Sequence, residues 1–336
     1  VIINGNYFDE SDGNLMERGR AKGLSTALFI AKSARRFVNE LVPSFTFENT
    51  IDIIDYEQNK TVWGYGADRP SAVDVVDEAL AWIDGRTSER FFAWLFHFDV
   101  HNWRQLNDDY VETMARQAGI DEPDLRKRAY RGAAAGVDLA LARFLKGLKD
   151  RQLDERTIIM FVSDHGEALG QQGHWQHAVF LWESLVHVPL LLYVPGVAPA
   201  RIQSPVGLVD IAPTVARFFD AHADVASYHG HDLLRHALPG AHDDGLPLLM
   251  QSMRKDEVLR VGIIERRPPY HKLILPLDSA EPELCDLAAT DPDNANVARE
   301  RHRLMLEMLS KLVRSPVFPR GDEETEPSEG ERTAAR

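Results

Sequence analysis

A chain of 336 residues with 44% hydrophobic residues can bury a sizeable core, and one large plus one small domain is the expected division. Its net charge of −14 argues against nonspecific nucleic-acid binding, which needs a basic footprint. It does not exclude an anionic substrate, because a metal ion or local cations reverse the potential inside a pocket. A single cysteine, Cys285, rules out an intrachain disulfide and leaves the compartment unassigned. No apolar run approaches the ~18 residues of a membrane-spanning helix, and no stretch within these residues reads as a signal peptide.

In chain order, residues 15–22 are patterned as a helix that Gly23 stops with a left-handed cap. Residues 24–30 then read as a strand, with Lys32 just past its end. The stretch 43–67 is irregular. Residues 71–83 read as a helix, with Ser71 and Asp74 as an N-cap signal and Gly85 as the stop. Residues 91–101 form a buried-strand pattern with a polar end. Period-two alternation puts His97, Asp99 and His101 on one face, and Phe96, Phe98 and Val100 on the other. Trp94, Phe96 and Phe98 read as core and lining.

Residues 125–148 carry Val137, Leu141, Phe144 and Leu148 at helical spacing. The β-branched run 157–161 is too short for a helix and reads as a buried strand, as does 186–194, closed by Pro195-Gly196. This alternation argues for an α/β fold with a mostly parallel central sheet between helix layers. After Leu234 the pattern changes to short strands without intervening helices (248–253, 258–265 and 273–277), then an amphipathic helix over 299–313. The expected units are 1–240, a small subdomain 245–316 and an acidic tail 317–336. Residues 321–336, rich in Glu, Pro, Ser and Thr, should be disordered.

The chemistry concentrates at Val162-Ser163-Asp164-His165-Gly166-Glu167, which closes the 157–161 strand. Ligands gather at the carboxyl ends of strands in open α/β sheets. An adjacent carboxylate and imidazole can bind one divalent metal, Gly166 letting the backbone turn away. The same dipeptide also fits a strand-end turn whose Asp caps the next helix. Beyond it, Gly170, Gly173, His174 and His177 suit a loop that folds back over a site. Asp210 reads as the cap of a helix over 211–219. The pairs Arg35-Arg36 and Arg266-Arg267 read as solvated faces, and His187, His229 and His231 carry no catalytic assignment.

Taken in order, several of these pieces resemble the sulfatase branch of the alkaline phosphatase superfamily. They are Phe98-Asp99-Val100-His101, the long helix 130–150, Ser163 to Glu167, His177, Val188-Pro189-Leu190 and Val209-Asp210-Ile211-Ala212-Pro213-Thr214. Glu283-Leu284-Cys285-Asp286-Leu287, followed by Asp291-Pro292 and Asn296, completes the series. The resemblance runs from about Leu15 to Ala298. It implies an alkaline phosphatase/sulfatase-like sheet with a small antiparallel C-terminal α+β subdomain, and hydrolysis of sulfuric esters at a divalent-metal site.

The same resemblance assigns Asp164 and His165 as metal ligands. His101 becomes the histidine that meets the ester and protonates its leaving group, and His177 the residue that touches the sulfate oxygens. Lys32 falls where the family has a lysine near the nucleophile, and His97 would orient His101. The Asp–His pair leans toward Mn or Zn, with Ca also allowed. The implied partner is a small anionic ester, not nucleic acid; no oligomeric state is implied.

No Cys/Ser/Thr-x-Pro-x-Arg occurs in the chain, although sulfatases carry such a motif, and a pair of metal-binding aspartates, near their N-terminus. The opening residues resemble a segment downstream of that motif, so the expectation is a chain that begins inside the domain and does not turn over substrate by itself. Cys285, in the C-terminal packing motif, is a poor nucleophile. A phosphodiesterase, phosphonate monoester hydrolase or phosphoethanolamine transferase of the same superfamily is an alternative, as is a non-catalytic binding scaffold.

Overall fold

The computed structural model describes residues 14–31, 50–52, 70–177, 179–220, 225, 228–237, 246–254, 257–278 and 280–319. Lys32, Arg35-Arg36, most of the stretch 43–67 and the tail 321–336 lie outside these residues. Helix α1 (Leu15–Ala21) leads into strand β1 (Ser25–Ile30), which pairs in parallel with β2 (Thr50–Asp52) on one side and β3 (Phe91–Phe96) on the other. Strand β2 lies within the stretch read as irregular.

Two helix layers enclose these strands. On one face α2 (Ala72–Asp84) and α4 (Leu125–Asp150) bury Val75, Val76, Ala79, Ile83, Ala140 and Leu148 against Ala27, Phe29, Ala93 and Leu95. Each of the valine, isoleucine and leucine side chains contributes roughly 1.5–3 kcal/mol on leaving water, and each alanine methyl about 0.8 kcal/mol. On the other face α1 and α6 (Ile211–Phe219) pack Leu15, Ile211, Val215 and Phe219 against Phe92. Strand β4 (Ile159–Val162) feeds both layers: Ile159 joins the first cluster, Met160 and Val162 the second. It pairs antiparallel with β7 (Leu190–Tyr193), which follows a one-turn helix α5 (Glu183–Val186). Of the 186–194 run only Leu190–Tyr193 is strand, and Leu191 and Tyr193 are exposed, so it is not the buried strand expected. Between Phe96 and the long helix the chain also forms α3 (Asp108–Gln117), which the sequence reading left out.

Three local expectations are corrected. The N-terminus of α2 is not capped by Ser71 and Asp74. The buried carboxylate of Asp99 accepts from the Ser71 and Ala72 amides, at 2.9 and 2.8 Å, and from the Ser71 hydroxyl. Asp210 does not cap α6 with its side chain. Its carboxylate, wholly buried, takes a two-pronged bond from Arg266 at 2.8 and 2.9 Å and accepts from the amides of Gly207 and His231. Arg266 is accordingly buried and not on a solvated face. A carboxylate removed from water needs a charge partner and filled lone pairs, and a capping geometry would have left it only amides.

That ion pair ties the large unit to the C-terminal sheet. Strands β8 (Leu248–Arg254), β9 (Glu257–Ile264), β10 (His271–Pro276) and β11 (Glu283–Asp286) are antiparallel in the order β11-β10-β9-β8. Helix α7 (His302–Val313) covers one face through Met308 and Leu312, packed on Val261, Ile263, Leu273 and Leu284. From β10, the buried Lys272 ammonium reaches back to the Leu181 carbonyl, Glu183 and Asp293. Cys285 is buried in β11, and burial pushes its thiol up to about 11, which leaves it inert.

Candidate active site

Three histidines converge at the carboxyl ends of the strands. His101 comes from the turn after β3, His165 from the residues after β4, and His177 from just beyond a small hairpin made by β5 (Ala168–Leu169) and β6 (Trp175–Gln176). One ring nitrogen of each lies within 4.8 Å of the other two. The ring centroids of His165 and His177 are 4.2 Å apart, and those of His101 and His177 5.5 Å. This is where an α/β sheet presents ligand-binding groups.

Each ring is anchored by a different local device. Phe98 stacks on His101 with centroids 4.4 Å apart and planes 20° apart. Burial of that ring, reinforced by the imidazoles of His177 and His165, pushes His101 down to about 4, although its outer edge is exposed. His165 places Nδ1 2.8 Å from the Gly166 carbonyl, which as a donor contact leaves Nε2 as the ring's lone-pair nitrogen. His177 places Nδ1 2.7 Å from Glu167 Oε2, and Arg104 lies 3.9 Å from the other Glu167 oxygen.

The hairpin dictates that last contact. Ala168 faces Gln176 and Leu169 faces Trp175, so Glu167 and His177 flank the open end of the pair. Gln176 adopts φ of 91°, a left-handed backbone costly for a residue with a Cβ, directly before His177. Arg126 of α4 lies 3.6 Å over the Trp175 ring and holds the hairpin against the long helix.

Gly166 is needed for close approach more than for turning. A Cβ there would sit 2.1 Å from the Ser184 carbonyl oxygen, and its amide donates to Leu185 at 2.8 Å. Helix α5 therefore rests directly on the Gly166 backbone, next to His165.

Of the residues singled out from sequence, His101, His165 and His177 come together. Asp164 stands beside them: its Oδ1 accepts from the His165 amide at 2.9 Å, and its Oδ2 is 3.8 Å from His165 Nε2. Lys32 lies outside the described residues. The shared face of His97, Asp99 and His101 does not survive, because the strand ends at Phe96 and the chain enters turns. Asp99 goes to the α2 terminus. His97 buries an unpartnered Nδ1, and burial pushes it down to about 4. Glu167 and Arg104 were not singled out; the signal for Glu167 was its place two residues beyond the metal candidate, facing a loop that returns.

The Asp164–His165 pair fits a divalent ion. Donors on one ion at bond lengths near ~2.1 Å can be at most ~4.2 Å apart, and 3.8 Å lies inside that limit. A carboxylate beside an imidazole suits borderline transition metals better than calcium.

The chain matches the protein-family model described as Sulfatase over residues 12–221. It is similar to arylsulfatase K of Gallus gallus, 30% identical over 196 residues, covering 56% of this chain and 36% of that protein. It is also similar to the choline-sulfatase of Rhizobium meliloti, 31% identical over 121 residues, covering 35% of this chain and 22% of that protein. The chain thus spans little more than a third of these curated relatives at most.

Among solved structures, the phosphonate monoester hydrolase of Agrobacterium radiobacter superposes with a TM-score of 0.65 at 17% identity, covering 93% of this chain and 84% of that one. BT4656, solved with its substrate D-glucosamine-2-N,6-O-disulfate, gives a TM-score of 0.64 at 15% identity, covering 93% and 85%. Both are likenesses of fold.

Proposed function

Since the chain belongs to the sulfatase family, we propose that His101, Asp164, His165 and His177 are the part of a sulfuric ester hydrolase site that holds metal and ester. The observation that supports this most directly is the convergence of His101, His165 and His177 from three separate strand ends. Sulfatases typically use a divalent metal. Here Asp164 and His165 would hold it, and when bound it supplies Lewis-acid polarisation of an ester oxygen.

The chain's own groups divide the remaining work. His177, with Nδ1–H held by Glu167, presents Nε2 toward the ester, and in its protonated form donates to a sulfate oxygen. Desolvation and the neighbouring His177 and His165 rings favour the neutral form of His101. An anionic ester against the ring favours its protonated form, which then serves the departing alcohol oxygen. Phe98 and the hairpin keep both rings in place, so their orientation is not lost to solvent before binding. The 336 residues contain no Cys/Ser/Thr-x-Pro-x-Arg, so this chain's contribution is binding and proton handling, and nucleophilic attack is not assigned to any of its residues.

The test is calorimetric titration of the full chain, with Mn2+ present, using 4-nitrophenyl sulfate, 4-nitrophenyl phosphate and phenylphosphonate. Preferential binding of the sulfate ester, weakened about tenfold or more in His177→Ala, is expected from the loss of one charge-assisted bond. Preference for phosphate or phosphonate would move the site to the phosphoryl-transferring relatives. Absence of binding to all three would leave a fold without the function.

A further inference from the structure

Beyond the Asp164–His165 pair, the three imidazoles carry the marks of a coordination site of their own. In metal centres a ligating histidine almost always donates its second ring nitrogen to a carboxylate or a backbone carbonyl, which fixes the tautomer and aims the ring. His177 has that contact with Glu167 at 2.7 Å, and His165 has it with the Gly166 carbonyl at 2.8 Å. Both are thereby set to offer Nε2, and His101 completes a trio whose donor atoms lie within 4.8 Å of one another.

Ligand nitrogens around one tetrahedral ion are ~3.4 Å apart at Zn–N distances of ~2.0–2.1 Å. Closure from 4.8 Å therefore needs side-chain movements of up to ~1.4 Å. Three neutral nitrogens suit zinc-class ions and discriminate against calcium and magnesium, which demand oxygen.

We infer that His101, His165 and His177 form a three-imidazole site for a zinc-class divalent ion, and that this ion and an anionic ester exclude one another. The exclusion follows because coordination takes up ring nitrogens of His101 and His177, the two histidines that meet the ester; this half rests on the proposed function, whereas the coordination itself does not. A zinc-class ion is then an inhibitor of ester binding, because it takes His165 from the Asp164–His165 pair together with the two histidines that meet the ester.

The experiment is titration of the tag-free full chain with Co2+, followed by visible absorption, with far-UV circular dichroism to confirm that each variant folds. One equivalent should give an intense band of four- or five-coordinate cobalt. His101→Ala and His177→Ala, and the milder His101→Gln, should each weaken binding at least about tenfold, and Glu167→Gln should weaken it about tenfold through ring orientation. His187→Ala, an exposed ring outside the trio, should stay within about threefold of the wild type. A missing band, wild-type affinity in both His101 variants, or loss of binding in His187→Ala would overturn the site. Sulfate should lower the apparent Co2+ affinity; a sound cobalt site indifferent to sulfate would overturn the exclusion and count against the ester reading, leaving the metal trio intact.

Discussion

Replacing Arg266 with methionine should destabilise the protein by about 3 kcal/mol at neutral pH, because breaking a buried ion pair from one side costs roughly 3–5 kcal/mol. The Asp210–Arg266 pair is removed from water on both sides, with side chains 0% and 1% exposed. The substitution deletes two charge-assisted bonds of 2.8 and 2.9 Å. The low end of the range applies because Asp210 keeps its amide donors from Gly207 and His231, each at 2.8 Å.

The charge left behind is the main cost, so adding Asp210→Asn to Arg266→Met should recover about 1 kcal/mol or more by neutralising it. Urea denaturation read by tryptophan fluorescence and by circular dichroism suits the measurement. The described tryptophans, Trp82, Trp94, Trp103, Trp175 and Trp182, all precede Glu183 and report the part of the chain before the C-terminal sheet, while dichroism also sees that sheet. A single-variant loss below about 1 kcal/mol, or a double variant no better than the single, would show that the pair is not what holds Asp210 in place.

Three further outcomes follow. Gly166→Ala should cost about 2–3 kcal/mol and disturb the His165 environment, because the new Cβ meets the Ser184 carbonyl at 2.1 Å; thermal melts with histidine NMR would show it, and a wild-type melt would contradict it. Asp99→Ala should lose about 2 kcal/mol through the uncapped α2 terminus while leaving the His101 ring resonances in place; movement of His101 instead would return Asp99 to the site. His97 has its folded-state pKa depressed to about 4, so its contribution is whole above about pH 6.5 and is lost as the unfolded chain takes up the proton first. The loss amounts to roughly 2 kcal/mol by pH 5. His97→Phe should remove that part of the acid sensitivity in stability curves from pH 7.5 to 5, and an unchanged wild-type slope would contradict the assignment.

The long helix α4 was legible because apolar periodicity is written into Val137, Leu141, Phe144 and Leu148, and β8 to β10 because short apolar runs follow one another without helices between them; the four-residue β11 was not read as a strand. His101, His165 and His177 were legible as polar residues placed at strand ends. What failed were local rules overridden by distant partners. Ser71 looked like a cap until Asp99, 28 residues away, supplied it. Asp210 looked like a cap until Arg266, 56 residues on, claimed its carboxylate. Period-two alternation was carried past Phe96, where the backbone turns and separates His97, Asp99 and His101. Glu167 was unreadable in its role because it depends on hairpin register between β5 and β6, which two-residue strands do not announce.

Among the chain's 13 histidines, the site reading singles out three, and selective ring 15N–1H NMR during titration with 4-nitrophenyl sulfate examines them directly. His101, His165 and His177 should shift together and saturate at one equivalent, while exposed histidines such as His187 stay still. Shifts confined to other histidines, or none at all, would contradict the placement of the ester at these three strand ends.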